Sequence, residues 1–127
     1  MIAWCGAAAE PAREAASVIT GLAAALTAGN VQEFMAPFDR SVPQYDSIQA
    51  NVTALAAQGD TQSYLEITKN EGDERARTLE ISWELRLTRA SEALPYARRQ
   101  TNVTCKLELR GKQWRIVAFQ PAEFLAP

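Results

Sequence analysis

The sequence contains no histidine and only two cysteines, Cys5 and Cys105, in 127 residues. Histidine is the commonest metal ligand and general base near neutral pH. Two cysteines that stand far apart in the sequence suit neither a zinc site nor a disulfide framework. These absences predict a protein with no bound metal and no other cofactor, and they exclude histidine-based catalysis.

The chain also lacks a run of the roughly 20 apolar residues that a membrane-spanning helix needs. Its 13 basic and 15 acidic side chains give a net charge of −2, which argues against nucleic acid as a partner. What is present is a hydrophobic content of 47%, enough to build the core of one domain. We therefore expect a single domain that binds neither nucleic acid nor a membrane.

The first nine residues, MIAWCGAAA, differ in character from the rest. Their small residues before Glu10 and Pro11 resemble the end of a cleaved export signal, although the basic start and long apolar middle of such a signal are missing. We expect residues 1–9 to be a disordered tail or a signal remnant, and residues 10–127 to form the domain. An extracytoplasmic location is favoured, and the cytoplasm is the alternative.

Three stretches of the first half carry apolar residues at helical spacing. The first covers residues 11–28. Asn30, with Glu33 three residues later, is typical of a capping box and opens a short second helix that Pro37 limits. A third helix is predicted over residues 43–59. Each helix has one apolar face, so each needs a partner to cover that face.

Beyond the third helix the periodicity changes from helical to alternating, which is typical of strands. A first strand is predicted around Leu65 and a second over residues 79–87, and their apolar residues are all odd-numbered. Odd residues must then face odd residues, so the connection should contain five or three residues. The turn-forming stretch 70–74, NEGDE, favours five. A third strand is expected to begin at Tyr96.

The last two strands, residues 101–120, are predicted to form a hairpin around a two-residue turn at Gly111 and Lys112. The expected pairs on an apolar inner face are Leu109 with Trp114, Leu107 with Ile116, and Cys105 with Ala118. The expected outer-face pairs are Glu108 with Arg115 and Lys106 with Val117, with Phe119 on the same side. In the remaining tail, Phe124 and Leu125 are expected to pack against a sheet edge.

These elements predict an α+β fold in which three N-terminal helices pack on a curved, four-stranded antiparallel sheet. The run GLAAALTAGNVQEFMAPFD and the ending GKQWRIVAFQPAEFLAP resemble the nuclear transport factor 2-like superfamily, also called the cystatin-like cone. The most specific parts are the helix junction at 25–30 and the WRI-x-x-F motif at 114–119. The resemblance covers the chain from about Glu10. No convincing strand is predicted between the second and third helices, where many members have one.

This resemblance implies a cone-shaped domain with a pocket between helices and sheet. Members include isomerases, dehydratases, polyketide cyclases, epoxide hydrolases and non-catalytic binding modules, so the fold alone does not choose a function. The inner-face positions of the second strand and of the hairpin carry no carboxylate, lysine or arginine, whereas isomerase chemistry needs an acid or base there. The leading hypothesis is therefore a non-catalytic small-molecule-binding or accessory domain with an apolar pocket. The expected ligand-binding residues are Phe34, Phe38, Trp83, Thr101 and Trp114.

Two alternatives remain open at this point. The first is a lyase or isomerase acting on a hydrophobic small molecule, with Asp39 as the base and Tyr45 as a hydrogen-bond donor; a solvated loop carboxylate beside Arg40 is the competing interpretation of Asp39. The second is a structural dimerisation domain whose interior is filled by its own side chains. A homodimer is expected through the outer sheet face. The expected contact residues there are Lys106, Val117 and Phe119, unless the C-terminal tail covers them.

Overall fold

A computed structural model describes residues 3–89 and 97–126, with side chains described for 10–88 and 97–126. The helices are α1 (Ala3–Ala28), α2 (Val31–Met35) and α3 (Tyr45–Gln58), the strands are β1 (Gly59–Gly72), β2 (Ala76–Arg89), β3 (Ala97–Arg110) and β4 (Gln113–Gln120), and a 3-10 helix, the tail helix, covers Ala122–Leu125. The strands form one antiparallel sheet in the order β1-β2-β3-β4. The predicted α+β class, with three helices followed by a four-stranded meander, is confirmed.

The helix junction forms as the sequence predicts. Helix α1 ends where Gly29 takes a positive φ of 70°, a conformation that glycine adopts without steric cost. The amide of Asn30 donates to the carbonyl of Ala25 (2.9 Å), and the Asn30 side chain accepts from the Glu33 amide (3.0 Å), which is the predicted cap. Helix α1 is longer than predicted, because it continues through Pro11 back to Ala3.

The connection between β1 and β2 is shorter than the favoured five residues. The strands continue until only residues 73–75 separate them, so the five-residue prediction is wrong. The three-residue alternative matches these strand ends, but its parity argument does not hold, because the last pair is Gly72 with Arg77. The Asp73 carboxylate tightens this turn by accepting from the amides of Arg75 (2.8 Å) and Ala76 (2.9 Å). Odd residues face odd residues up to Ile67 opposite Ile81, after which a bulge shifts the register.

The closing hairpin is confirmed near its turn and wrong beyond it. Leu109 lies opposite Trp114 and Leu107 opposite Ile116, as predicted. A bulge then shifts the register, so that Lys106 pairs with Ala118 rather than Val117, and Cys105 pairs with Phe119 rather than Ala118. Because the bulge adds one residue to β4, every later side chain changes face. Phe119 is therefore buried at 2% exposure rather than on the outer face.

The core lies between the helices and one face of the sheet, which we call the inner face. On β2 it carries the odd-numbered residues from Leu79 to Leu87, all of them buried, and α3 contributes Ile48, Val52 and Leu55. Between α2 and α3 the chain makes a single bridge, Phe38 with Ile116, rather than a strand, which agrees with the prediction that no strand lies there.

The tail helix adds the buried residues Phe124 and Leu125 to this core, whereas they were expected against a sheet edge. The connection between the predicted second and third strands falls mostly on residues 90–96, which lie outside the described residues. The predicted third strand agrees with β3, although its expected first residue, Tyr96, is one of those positions. Among the helices that the structure describes, none is long and apolar enough to cross a membrane.

Candidate ligand site

Five aromatic side chains form a continuous row through the interior, which we call the aromatic row. Its members are Phe34 and Phe38 (ring centroids 5.5 Å apart), Phe119 (5.7 Å from Phe38), Trp83 (6.2 Å from Phe119) and Phe124 (6.0 Å from Trp83). Every member is at most 6% exposed. The row unites three predicted ligand-binding residues, from α2, the loop after it and β2, with two aromatic residues that sequence reasoning did not assign to a pocket.

The two additional members have different origins. Phe119 was missed because an unrecognised bulge turns it inward. Phe124 was predicted to pack, but only against a sheet edge, whereas its ring meets Trp83 at an interplanar angle of 63°. Edge-on contacts of this kind are the favoured geometry of aromatic pairs. The hydrophobicity of both residues indicates burial, but the sequence does not show that both lie on the inner face.

Trp83 stands at the centre of the inner face. It is 0% exposed, and within the described part of the molecule its indole Nε1 has no hydrogen-bond partner. Its neighbours across the sheet are Leu65 on β1 and the half-buried Thr101 on β3. The Oγ of Ser63, on the same face, is also buried and without a partner among those residues. Thr101 thus lies beside Trp83 as a predicted site residue, and Ser63 was missed.

Trp114 has a different environment from Trp83. Its indole Nε1 donates to the Glu14 carboxylate (2.9 Å), and only 7% of the residue is exposed. This hydrogen bond ties β4 to α1. The polar group of Trp114 is therefore engaged within the protein, so a ligand could meet only its ring.

The carboxylate of Asp39 makes local contacts. It accepts hydrogen bonds from the Ser41 amide (3.1 Å) and the Ser41 hydroxyl, and it pairs with Arg110 (3.1 Å). The hydrogen bonds from Ser41 hold its pKa below the ordinary value, and the charges of Arg110 and Arg115 act in the same direction. A general base works best with a pKa raised towards neutrality, so this environment weakens Asp39 as a base.

Tyr45, the other predicted catalytic residue, begins α3 and is half-buried. The guanidinium of Arg40 lies 5.4 Å from the centre of its ring, a distance within the range of cation–π contacts. The catalytic roles of Asp39 and Tyr45 stay predictions. Among the described residues, no group of three side chains suited to a metal ion occurs.

Arg99 holds the tail helix in place. It lies on the inner face of β3, opposite Leu85, and its guanidinium donates to the backbone carbonyls of Phe124 (3.1 Å) and Ala126. The fixed geometry of the guanidinium suits this double contact. Sequence reasoning missed Arg99, although its odd number shared the parity of the inner-face residues.

Comparison with known proteins identifies the fold. No protein-family model matches the sequence, and no curated protein matches it significantly. Among solved structures, an NTF-2-like protein of unknown function from Shewanella oneidensis is similar, with a TM-score of 0.65, 13% identity, and coverage of 86% of this chain and 96% of that one. The chain has the nuclear transport factor 2-like fold.

Two further structures with this fold similarity come from Novosphingobium aromaticivorans. A candidate scytalone dehydratase has a TM-score of 0.72 and 12% identity, over 84% of this chain and 79% of that one. A candidate aromatic ring hydroxylase has a TM-score of 0.68 and 11% identity, over 87% and 86% of the two chains. At such low identities the similarity extends to the nuclear transport factor 2-like fold and no further.

The surface of the domain carries several depressions. An apolar groove of about 520 Å³ is formed mainly by α1, with Glu33 and Pro37 at its side. A smaller cavity of about 210 Å³ is bordered by Gln44 and Gln120 and has Phe119 in its wall. Because Phe119 belongs to the aromatic row and contacts Trp83, this cavity borders the row at Phe119.

The outer sheet face has the mixed character of a solvated surface. Lys106 is exposed and Val117 is half-buried. Tyr64 is 49% exposed, with the guanidinium of Arg86 4.5 Å from its ring centre. Dimerisation through this face remains a prediction, although Phe119 can no longer contribute to it.

Proposed function

We propose that this domain binds a small hydrophobic molecule between its helices and the inner sheet face and does not transform it. The observation that carries the proposal is the aromatic row, centred on Trp83. Binding sites for small apolar ligands are lined mainly by hydrophobic and aromatic side chains with few polar groups. Two structures with the same fold are named for small-molecule enzymes, a scytalone dehydratase and an aromatic ring hydroxylase, which supports such a site.

The absence of a catalytic role rests on the polar groups near the row. Asp39 is engaged by Ser41 and Arg110, and its lowered pKa makes it a poor base. Trp114 is engaged by Glu14. With these groups occupied, the Nε1 of Trp83 and the Oγ of Ser63 can orient a ligand. They do not supply the acid or base that isomerisation or elimination requires.

Two measurements test this function. Native mass spectrometry of the purified protein reports any retained ligand together with the oligomeric state. Titration with the neutral probe N-phenyl-1-naphthylamine should then give saturable fluorescence enhancement at one probe per chain. The variant Tyr64→Ala removes an exposed aromatic residue and should leave binding unchanged.

A structural domain with a filled interior is the competing function, in which the contacts of the aromatic row are core packing alone. In that case no ligand is retained and the probe shows only weak, non-saturable enhancement. A loss of probe binding in Tyr64→Ala would place the probe on the outer face and would also reject our proposal.

A further inference from the structure

On the inner face, two hydrogen-bond donors are buried without a partner in the part of the chain that the structure describes. The Nε1 of Trp83 and the Oγ of Ser63 are inaccessible to solvent and find no acceptor within the described residues. Buried polar groups in native proteins almost always have a partner, so each exception calls for an explanation. Two exceptions on one sheet face indicate a common cause.

The strand register places these donors close together. Ser63 lies opposite Leu85 and Trp83 lies opposite Leu65, so Ser63 and Trp83 are diagonal neighbours on the same face. Diagonal neighbours on an antiparallel pair are typically about 7–8 Å apart, within reach of a long side chain. An oxygen atom between them could accept from both, because a carbonyl oxygen has two lone pairs.

The surroundings of the donors define the rest of the ligand. Phe119 and Phe124 contact Trp83 edge-on at centroid distances of 6.2 and 6.0 Å, so any group in this place meets apolar walls. The nearby cation, Arg99, is already bonded to the backbone of the tail helix. A carboxylate here would lie among apolar side chains and could gain a counter-charge only by drawing the Arg99 guanidinium away from the carbonyls of the tail helix, which is unfavourable. The acceptor should therefore be neutral.

The geometry points to a ligand of one chemical class: a neutral, ring-containing apolar molecule whose carbonyl oxygen accepts hydrogen bonds from Trp83 Nε1 and Ser63 Oγ. Phe124 occupies the place that the ligand ring takes. Its tail helix has four residues and is held to β3 by the hydrogen bonds from Arg99 to backbone carbonyls, so entry of the ligand ring requires Phe124 to move away from Trp83. This inference rests on the proposed function and adds the identity of the recognised group.

Acetophenone and ethylbenzene test the inference, because they share a ring and a short side chain and differ by the carbonyl. In ¹⁵N-labelled protein, with the Trp83 indole signal assigned from Trp83→Phe, acetophenone should move that indole proton downfield and ethylbenzene should not. Acetophenone should also bind about tenfold more tightly, the effect of one or two hydrogen bonds to previously unpaired donors. Phe124→Ala should strengthen the binding of both compounds by vacating the ring position.

Trp83→Phe and Ser63→Ala separate the donors from the cavity. Either variant should reduce the preference for acetophenone while leaving ethylbenzene binding nearly unchanged, and the ratio within one variant corrects for altered packing. Equal affinities with an unmoved indole proton would overturn the carbonyl inference and leave the proposed function intact. An indole proton already shifted upfield by a neighbouring ring, and unaffected by acetophenone, would do the same, since it would show an N–H to ring contact. If neither compound binds, to wild type or to Phe124→Ala, the inference fails, and the proposed function fails with it when N-phenyl-1-naphthylamine also shows no saturable binding.

Discussion

The burial of Phe119 can be tested against the bulge-free hairpin that simple alternation predicts. In the structure Phe119 is 2% exposed and contacts the rings of Phe38 and Trp83. Truncating a buried Phe to Ala costs about 3–5 kcal/mol of the free energy of unfolding. Because two aromatic contacts are lost as well, each worth about 0.5–1.5 kcal/mol, we expect Phe119→Ala to cost about 4–5 kcal/mol. Val117→Ala, at a half-buried position, should cost about 1 kcal/mol.

Urea unfolding followed by far-ultraviolet circular dichroism measures these differences. With an m-value of about 2 kcal/mol/M, Phe119→Ala should lower the midpoint by about 2 M and Val117→Ala by about 0.5 M. A domain of this size has only about 5–15 kcal/mol of stability, so Phe119→Leu provides a milder companion. That variant keeps an apolar side chain of similar volume and should cost about 1–2 kcal/mol.

The bulge-free register predicts small costs for both variants, because it puts Val117 on the outer face as well. It would place Phe119 on the outer face, where truncation has little effect. A cost below about 1 kcal/mol for Phe119→Ala, the size typical of surface substitutions, would refute the bulge and with it the composition of the aromatic row. Equal costs for Phe119→Ala and Val117→Ala would refute it as well.

Three other predictions concern turns, protonation and thiol chemistry. Gly72→Ala should cost about 1–3 kcal/mol, because the new Cβ would lie 2.2 Å from a backbone oxygen and the residue has a φ of 140°. Gly21→Ala should instead stabilise the protein by about 0.5–1 kcal/mol, because the space around this position in helix α1 is open. Thermal melts that rank the two variants in another order contradict this account. Asp39 has a lowered pKa, so its contribution to stability should be complete above the ordinary aspartate pKa of about 3.9. This contribution should disappear as the pH falls through the lower pKa of the folded state. Asp39→Asn should therefore flatten the acidic part of a plot of stability against pH and leave the neutral-to-alkaline part parallel to wild type. Burial raises the pKa of Cys105 to about 12. In a Cys5→Ser background this thiol should therefore resist Ellman's reagent at pH 8 until urea unfolds the chain. Rapid labelling of the folded protein would disprove the burial of Cys105.

The elements of this fold could be predicted because local patterns determine them. The cap at Asn30, the stop at Gly29 and the odd-numbered apolar residues of β2 depend on interactions within a few residues or on a simple period of two. The hairpin turn at residues 111–112 followed from the same reasoning. These signals place the helices on the inner face without further information.

The candidate site was less predictable because its residues are positioned by irregularities. A bulge in β4 turns Phe119 inward, and the double contact of Arg99 brings Phe124 to Trp83. Neither effect has a local sequence signature. Ser63 is a small polar residue in an alternating strand, and we assign it a role only because its hydroxyl has no partner among the described residues. Phe34, Phe38 and Trp83 were predicted because large apolar residues on helix and strand faces turn inward by default.

The bulge at Val117 divides β4 into two parts whose facing can change independently. Trp114 and Ile116 take their orientation from the hairpin turn, whereas Phe119 takes its orientation from the extra residue that precedes it. Removal of Val117 would restore strict alternation and still leave Phe119 on the inner face, while removal of Arg115 would exchange the faces of neighbouring side chains. Strand β4 therefore tolerates the loss of a residue at Val117 but not at Arg115. A change of length at Val117 leaves the half of the strand that closes the hairpin unaltered.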